Sequence, residues 1–177
     1  MKNLIIIILL TLISTLSYSQ DNSESEVFRK IIDHEIINGG FYIQCDKPKT
    51  FFDIKDFKEQ TGLKAPLNIL KEIERNTENS NDGIWKSELL SDLNYGSDYI
   101  NSKECLTKED AEKLFEQTKK RQSIISISEP IFDKNFENCI ISVTYWKFKG
   151  SAYGHSFFLK KVYGIWTVII IYDTWLT

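Results

Sequence analysis

The stretch from Cys139 to Trp175 decides the fold: CIISVTYWKF, KGSAYG, HSFFLKKV, YG, IWTVIIIYDTW. It is rich in β-branched and aromatic residues, which fit a pleated, half-buried surface. Its glycines fall where turns are needed. The expected strands are Cys139–Phe148, His155–Val162 and Ile165–Trp175, with a loop over Gly150–Gly154 and a tight turn at Tyr163-Gly164. Connections this short join neighbouring strands antiparallel. Along the last strand, simple alternation puts Ile165, Ile169 and Ile171 on one face and Trp166, Val168, Ile170 and Tyr172 on the other. A strand apolar on both faces is expected at the centre of its sheet. Helices would then cover one face, and a curled sheet or a partner the other.

Working outward, Ser123–Ser128 reads as a strand, and Asp133-Lys134-Asn135 as a turn. Pro130 lacks a ladder donor, so it confines Ile131-Phe132 to an edge or a bulge. Before Ser123 the pattern changes to helical spacing. Phe28, Ile31, Ile32 and Glu35-Ile36 form the stripe of a helix over Glu26–Ile37 that Gly39-Gly40 ends. Phe41–Cys45 is a short strand. Asp53 caps a helix over Ile54–Thr61 that Gly62 stops, and Pro66 opens another reaching Arg75. Residues 76–83 read as a loop. Trp85, Leu89 and Leu93 recur every four residues, predicting a helix that ends at Gly96. Thr107 caps a further helix, with Asp110 as its capping-box partner and Ala111, Leu114 and Phe115 facing inward. The fold class is α+β, with N-terminal helices packed on a C-terminal antiparallel, strongly twisted β-meander.

At the other end, Lys2 precedes an apolar run from Leu4 to Ile13, followed by Ser17-Tyr18-Ser19. A charged start, an apolar core and a small-x-small site predict a secretory signal peptide. The run is shorter than the roughly 20 residues that span a bilayer core. The expected organisation is a signal peptide over 1–19, a linker over 20–26 and a single α+β domain over 27–177, periplasmic or secreted. The mature chain would begin at Gln20. The acidic residues Asp21, Glu24 and Glu26 read as a solvated linker rather than a calcium site.

The whole chain has 22 Lys and Arg against 25 Asp and Glu, so its net charge of −3 becomes −4 once Lys2 is removed. Arg29, Arg75 and Arg121 are the only arginines. This balance argues against nucleic acid, which needs a basic face to displace counterions. It argues equally against a polybasic membrane contact. Three cysteines, Cys45, Cys105 and Cys139, leave at least one thiol without an intramolecular partner. An exported chain permits a disulfide among them, and a chain of this size does not require one.

The run Ser126–Phe132, the strand Cys139–Phe148, the Gly150–Gly154 loop, Leu159-Lys160-Lys161, Gly164-Ile165-Trp166 and Asp173-Thr174-Trp175 together resemble the C-terminal half of small exported proteins of Gram-negative bacteria. The layout, helices first and a twisted meander last, looks like the NTF2-like or cystatin-like arrangement. That likeness implies a cone-shaped fold hosting both enzymes and binding modules, so it leaves function open. The acid and histidine lining of its enzymatic members has no recognisable counterpart in this chain.

Asp33-His34-Glu35 is adjacent on a helix, where successive side chains splay about 100° apart, so it reads as solvated or structural. Cys45 with His155 or His34 is the candidate nucleophile and base, which would also need an orienting group. Nothing clusters at metal-ligand spacing, and Gly39-Gly40 follows a helix instead of opening one, so no metal, phosphate loop or cofactor is expected. The aromatic set Tyr145, Trp146, Phe148, Tyr153, Phe157 and Tyr172 could form a binding platform beside the Gly150–Gly154 loop, though strand aromatics are commonly core. The reading is an exported, non-catalytic binding or interaction module of the cell envelope, of which an inhibitor or immunity-type protein is one form. A small envelope hydrolase using Cys45 or a histidine, and an NTF2-like ligand pocket, are the alternatives.

Overall fold

The computed structural model describes residues 22–35, 41–85, 89–90 and 105–177. Four helices can be followed: α1 (22–35), α2 (Ile54–Thr61), α3 (Leu67–Glu78) and α4 (Lys108–Thr118). The strands are β1 (Phe41–Ile43), β2 (Asp46–Lys47), β3 (Gly83–Ile84), β4 (Ser123–Ile127), β5 (Ile131–Phe132), β6 (Asn138–Lys147), β7 (Ala152–Val162) and β8 (Ile165–Leu176). The main sheet runs β1-β4-β6-β7-β8, with β5 also paired to β6, and β2-β3 is a separate ribbon. Every pair in the main sheet is antiparallel except β1–β4. That parallel pair is possible because the chain between its strands is long enough to cross back, carrying α2, α3 and α4.

Local chemistry sets the helix ends as expected. The Asp53 carboxylate accepts from the Asp56 N–H at 2.9 Å, and Gly62 ends α2 in the left-handed region. Thr107 and Asp110 form a reciprocal capping box on α4. Residues 22–25 are helical, so α1 begins earlier than Glu26 and absorbs most of the expected linker. Residues 76–78 belong to α3, and Gly83–Ile84 is a strand, so the expected 76–83 loop shrinks to a turn. Residues 89–90 are helical while Trp85 is not. Ile36, Gly39-Gly40, Leu93 and Gly96 lie outside the described residues.

The sheet is covered on both faces as expected, but by helices on each rather than by a curled sheet or a partner on one. Phe28, Ile31 and Ile32 of α1 pack with Trp85 onto Ile141, Val143 and Phe157 of one face. On the other face, Phe57, Leu70 and Ile73 of α2 and α3 pack onto Ile140, Phe158 and Tyr172, while Ala111 of α4 meets Ile124 and Phe148.

The expectation that β8 is central is overturned, because among the described residues β8 stands at the edge of its sheet. The reason lies in its register. Val168 pairs with Leu159 and Ile170 with Phe158, which leaves Ile169 as an extra residue. Tyr172 pairs with Ser156 and Trp175 with Gly154, so Asp173 and Thr174 together face His155. Each bulge re-aims the side chains beyond it. Trp166 and Val168 therefore serve the core under α1, and Ile170 and Tyr172 the core under α2. The run is apolar because it feeds two cores in succession.

Gly154 is also not in a loop. It sits in β7, where an added Cβ would lie 2.7 Å from the Trp175 ring and 2.8 Å from the Val143 carbonyl oxygen. The Tyr163-Gly164 turn is as expected, with both φ angles positive (51° and 80°), the pattern of a two-residue hairpin turn that follows strand twist.

Candidate functional site

The expected aromatic platform does not assemble as one surface. Tyr145 and Tyr153 stack, with ring centroids 4.8 Å apart. Trp146 and Phe148 pack against α4 on the opposite face, and Phe148 is buried there. Tyr172 is buried beneath Phe57, and Phe157 is wholly buried under α1. Cys45 is bonded to Cys105 and has no thiol to offer His155 or His34. Cys139 is free and fully buried, and burial pushes its thiol well up.

His34 and Glu35, by contrast, do take part in one cluster. Glu35 of α1 accepts hydrogen bonds from Tyr145 of β6, from His34 Nδ1 at 2.8 Å and from His155 Nε2 of β7 at 3.3 Å. The imidazole of His34 also lies edge-on to Phe157. Helix geometry alone could not reveal this, since Tyr145 and His155 stand 110 and 120 residues from Glu35. The signal available was a pair of polar ring residues, Tyr145 and His155, on one face of the predicted hairpin.

Burial pushes the Glu35 carboxyl up, but the hydrogen bonds from His155, Tyr145 and His34 outweigh it and hold the group at about 2. Burial and the same carboxylate push the Tyr145 phenol up. Glu35 is thus a saturated anion and Tyr145 a donor locked onto it. The arrangement clasps α1 to the β6–β7 hairpin. Its contribution to stability is present above Glu35's ordinary value of 4.5 and is lost as pH falls through about 2. Allowing for solvent screening, about 1–3 kcal/mol is at stake. Urea melts between pH 6 and pH 2 should show wild type losing that much more than Glu35→Gln; parallel curves would remove the clasp's role.

The second feature is β8 itself. Among the described residues it has a strand neighbour on one side only. Along its length Asp173 is the sole charged residue. Ile165, Ile169, Ile171 and Leu176 are 67%, 39%, 42% and 78% exposed. An open apolar edge is a template for pairing with another chain, and proteins ordinarily blunt such edges with charge, bulges or a covering element. Here the two bulges and the Gln60 side chain, which accepts from the Asp173 N–H at 2.7 Å, blunt the C-terminal half. Among the described residues the half beginning at Ile165 has no strand beyond it, and it borders a cavity of about 390 Å³ against α1.

The chain is thus a mixed-sheet α+β domain with a polar clasp on one face and an open apolar edge. No family model, curated protein or solved structure matches it. Among the described residues no cluster of His, Cys, Asp and Glu has the geometry to hold a metal ion, and no helix is long and apolar enough to cross a membrane.

Proposed function

We propose that this protein is an exported, non-catalytic interaction module of the cell envelope that meets a protein partner along the open edge of β8. The observation that carries the reading is the exposure of Ile165, Ile169 and Ile171 on a strand with one charged residue and, among the described residues, a strand neighbour on one side only. The Cys45–Cys105 disulfide supports export, because such bonds persist in oxidising compartments. The signal-like run from Leu4 to Ile13 supports it independently. An inhibitor or immunity-type protein acting on an envelope toxin is one form of this module.

A second reading, a small hydrolase with His155 as base, draws on the Glu35 carboxylate beside that imidazole. No cysteine serves it as a nucleophile, since Cys45 is bonded to Cys105 and Cys139 is buried in the core.

Two measurements test the first reading. The exported protein should have the intact mass of a chain beginning at Gln20; a product keeping Met1 in the inner membrane reverses the export half. Immobilised mature protein should retain an envelope partner that the doubly substituted Ile165→Lys, Ile169→Lys protein releases. Equal retention by both proteins, or none by either, overturns the interaction half.

A further inference from the structure

We infer that the cavity between the C-terminal end of α3 and the β5–β6 turn binds one ring of a neutral sugar, stacked on Phe136 and hydrogen-bonded by the side-chain amides of Asn76 and Asn79. None of the residues lining this cavity belongs to β8. The inference therefore goes beyond the interaction reading and does not depend on it.

Asn76, Asn79 and Ser80 form one wall of the cavity, Glu129 and Phe132 the opposite wall, and Phe136 closes it from the turn. Its volume is about 280 Å³. Pockets for drug-sized ligands run from about 300 to 1,000 Å³, so this one suits a single ring. Two bonds join the walls across the cavity. The Asn76 amide donates to the Phe132 carbonyl at 2.9 Å, and the Ser80 hydroxyl donates to the Glu129 carboxylate at 2.9 Å. The Asn76 amide thus stands where α3 and β5 meet.

The turn carries an unusual residue. Phe136 has a φ of 53°, in the left-handed region that bulky side chains rarely take. The turn is closed by backbone groups. Phe136 N–H donates to the Asp133 carbonyl at 3.1 Å, and the Glu137 and Asn138 N–H groups donate to the Asp133 carboxylate at 2.8 and 3.0 Å. Glycine would make the same bonds with less strain. What phenylalanine adds is a ring on the cavity wall, 5.3 Å from the ring of Phe132 and partly exposed. Strained residues of this kind are held at ligand clamps.

The polar groups decide the class of ligand. Glu129 is already held by Lys47 at 3.2 Å and by Ser80. The buried Asp133 carboxylate accepts from two backbone N–H groups and from the Asn138 amide at 2.9 Å. Neither carboxylate is left to draw a cation. Lys134 is the one cation on the lining, and a lone surface ammonium does not make a phosphate cradle. What stays uncommitted is amide. Asn76 spends one N–H on Phe132, and the Asn79 amide makes a single long contact of 3.5 Å with the Arg75 carbonyl. An amide offers both donors and an acceptor, which matches hydroxyl groups that donate and accept in turn. A sugar ring carries such hydroxyls around its rim and a C–H face that lies flat on an aromatic ring.

The test is a titration of the mature chain with glucose and with N-acetylglucosamine, followed through the side-chain amide resonances of Asn76 and Asn79. At least one sugar should shift both amides and saturate in the millimolar range. Phe136→Gly, with its fold verified, should weaken that binding by more than about tenfold. Asn79→Ala, at an exposed position, should weaken it while leaving the urea midpoint unchanged. No shift from either sugar at concentrations up to about 50 mM, well above a millimolar dissociation constant, overturns the inference. So does sugar binding that persists undiminished in both variants, since it would lie elsewhere. Saturable binding of tetramethylammonium or inorganic phosphate at these amides, with no response to either sugar, assigns the cavity to a charged ligand and overturns it too.

Discussion

Phe157→Ala is expected to lower the stability of the mature domain by about 3–5 kcal/mol, and Ile169→Ala by less than about 1 kcal/mol. Phe157 is wholly buried, at the middle of β7, with His155 and His34 both edge-on to its ring. Removing it leaves a cavity in the core beneath α1. Ile169 is the extra residue of a bulge on an edge strand and stands 39% exposed. Its truncation deletes little buried area and opens no enclosed cavity. Urea melts of the two variants separate the outcomes. If Ile169→Ala cost as much as Phe157→Ala, a second strand or partner would have to cover the β8 edge. If Phe157→Ala were silent, the packing of α1 on this face would be wrong.

The contrast shows where the sequence was readable. Asp53, Gly62, Thr107 and the Tyr163-Gly164 turn are local signals, each acting through bonds within a few residues, and they fixed element boundaries closely. Strand order is a non-local property. The apolar run Trp166–Tyr172 satisfies the pattern of a central strand and equally that of an edge strand whose bulge hands it from one core to the other. Periodicity alone cannot tell these apart, because an extra residue looks like one more isoleucine. Gly154 misled in a related way. A glycine that read as loop is a strand residue yielding its side-chain space to Trp175. At the candidate site, the β-strand pattern did bring Tyr145 and Tyr153 together, since they are direct partners across β6 and β7. The same alternation sent Trp146 and Phe148 to the other face. Glu35 stayed hidden because its partners come from strands distant in sequence.

Loss of the Cys45–Cys105 bond is expected to cost about 4 kcal/mol, from the loop-closure entropy of its 60-residue separation. The bond sits just beyond a short strand. β1 is three residues long and pairs with β4 on one side. On its other side Leu106 donates to the Ile43 carbonyl at 2.8 Å, and Cys45 donates to the Leu106 carbonyl at 2.9 Å. Trp85 in turn donates its backbone N–H to the Cys45 carbonyl at 3.0 Å and its indole N–H to Ile127 at 3.2 Å. The sulfurs thus staple the end of β1 to the segment entering α4, beside the core that Trp85 helps to close. Thiol titration checks the pairing first: denatured, unreduced mature protein should yield one reactive thiol, from Cys139, and three would show that the bond is absent. Urea melts with and without reductant then read its worth, and the Cys45→Ser, Cys105→Ser protein should match the reduced one. A shift below about 1 kcal/mol would mean that the hydrogen bonds of Leu106 hold β1 unaided. A shift near the full value would leave the reduced chain with little reserve, given total stabilities of about 5–15 kcal/mol for domains generally. Such a chain holds its fold with its full margin only where the bond persists, in an oxidising compartment of the kind the proposed export supplies.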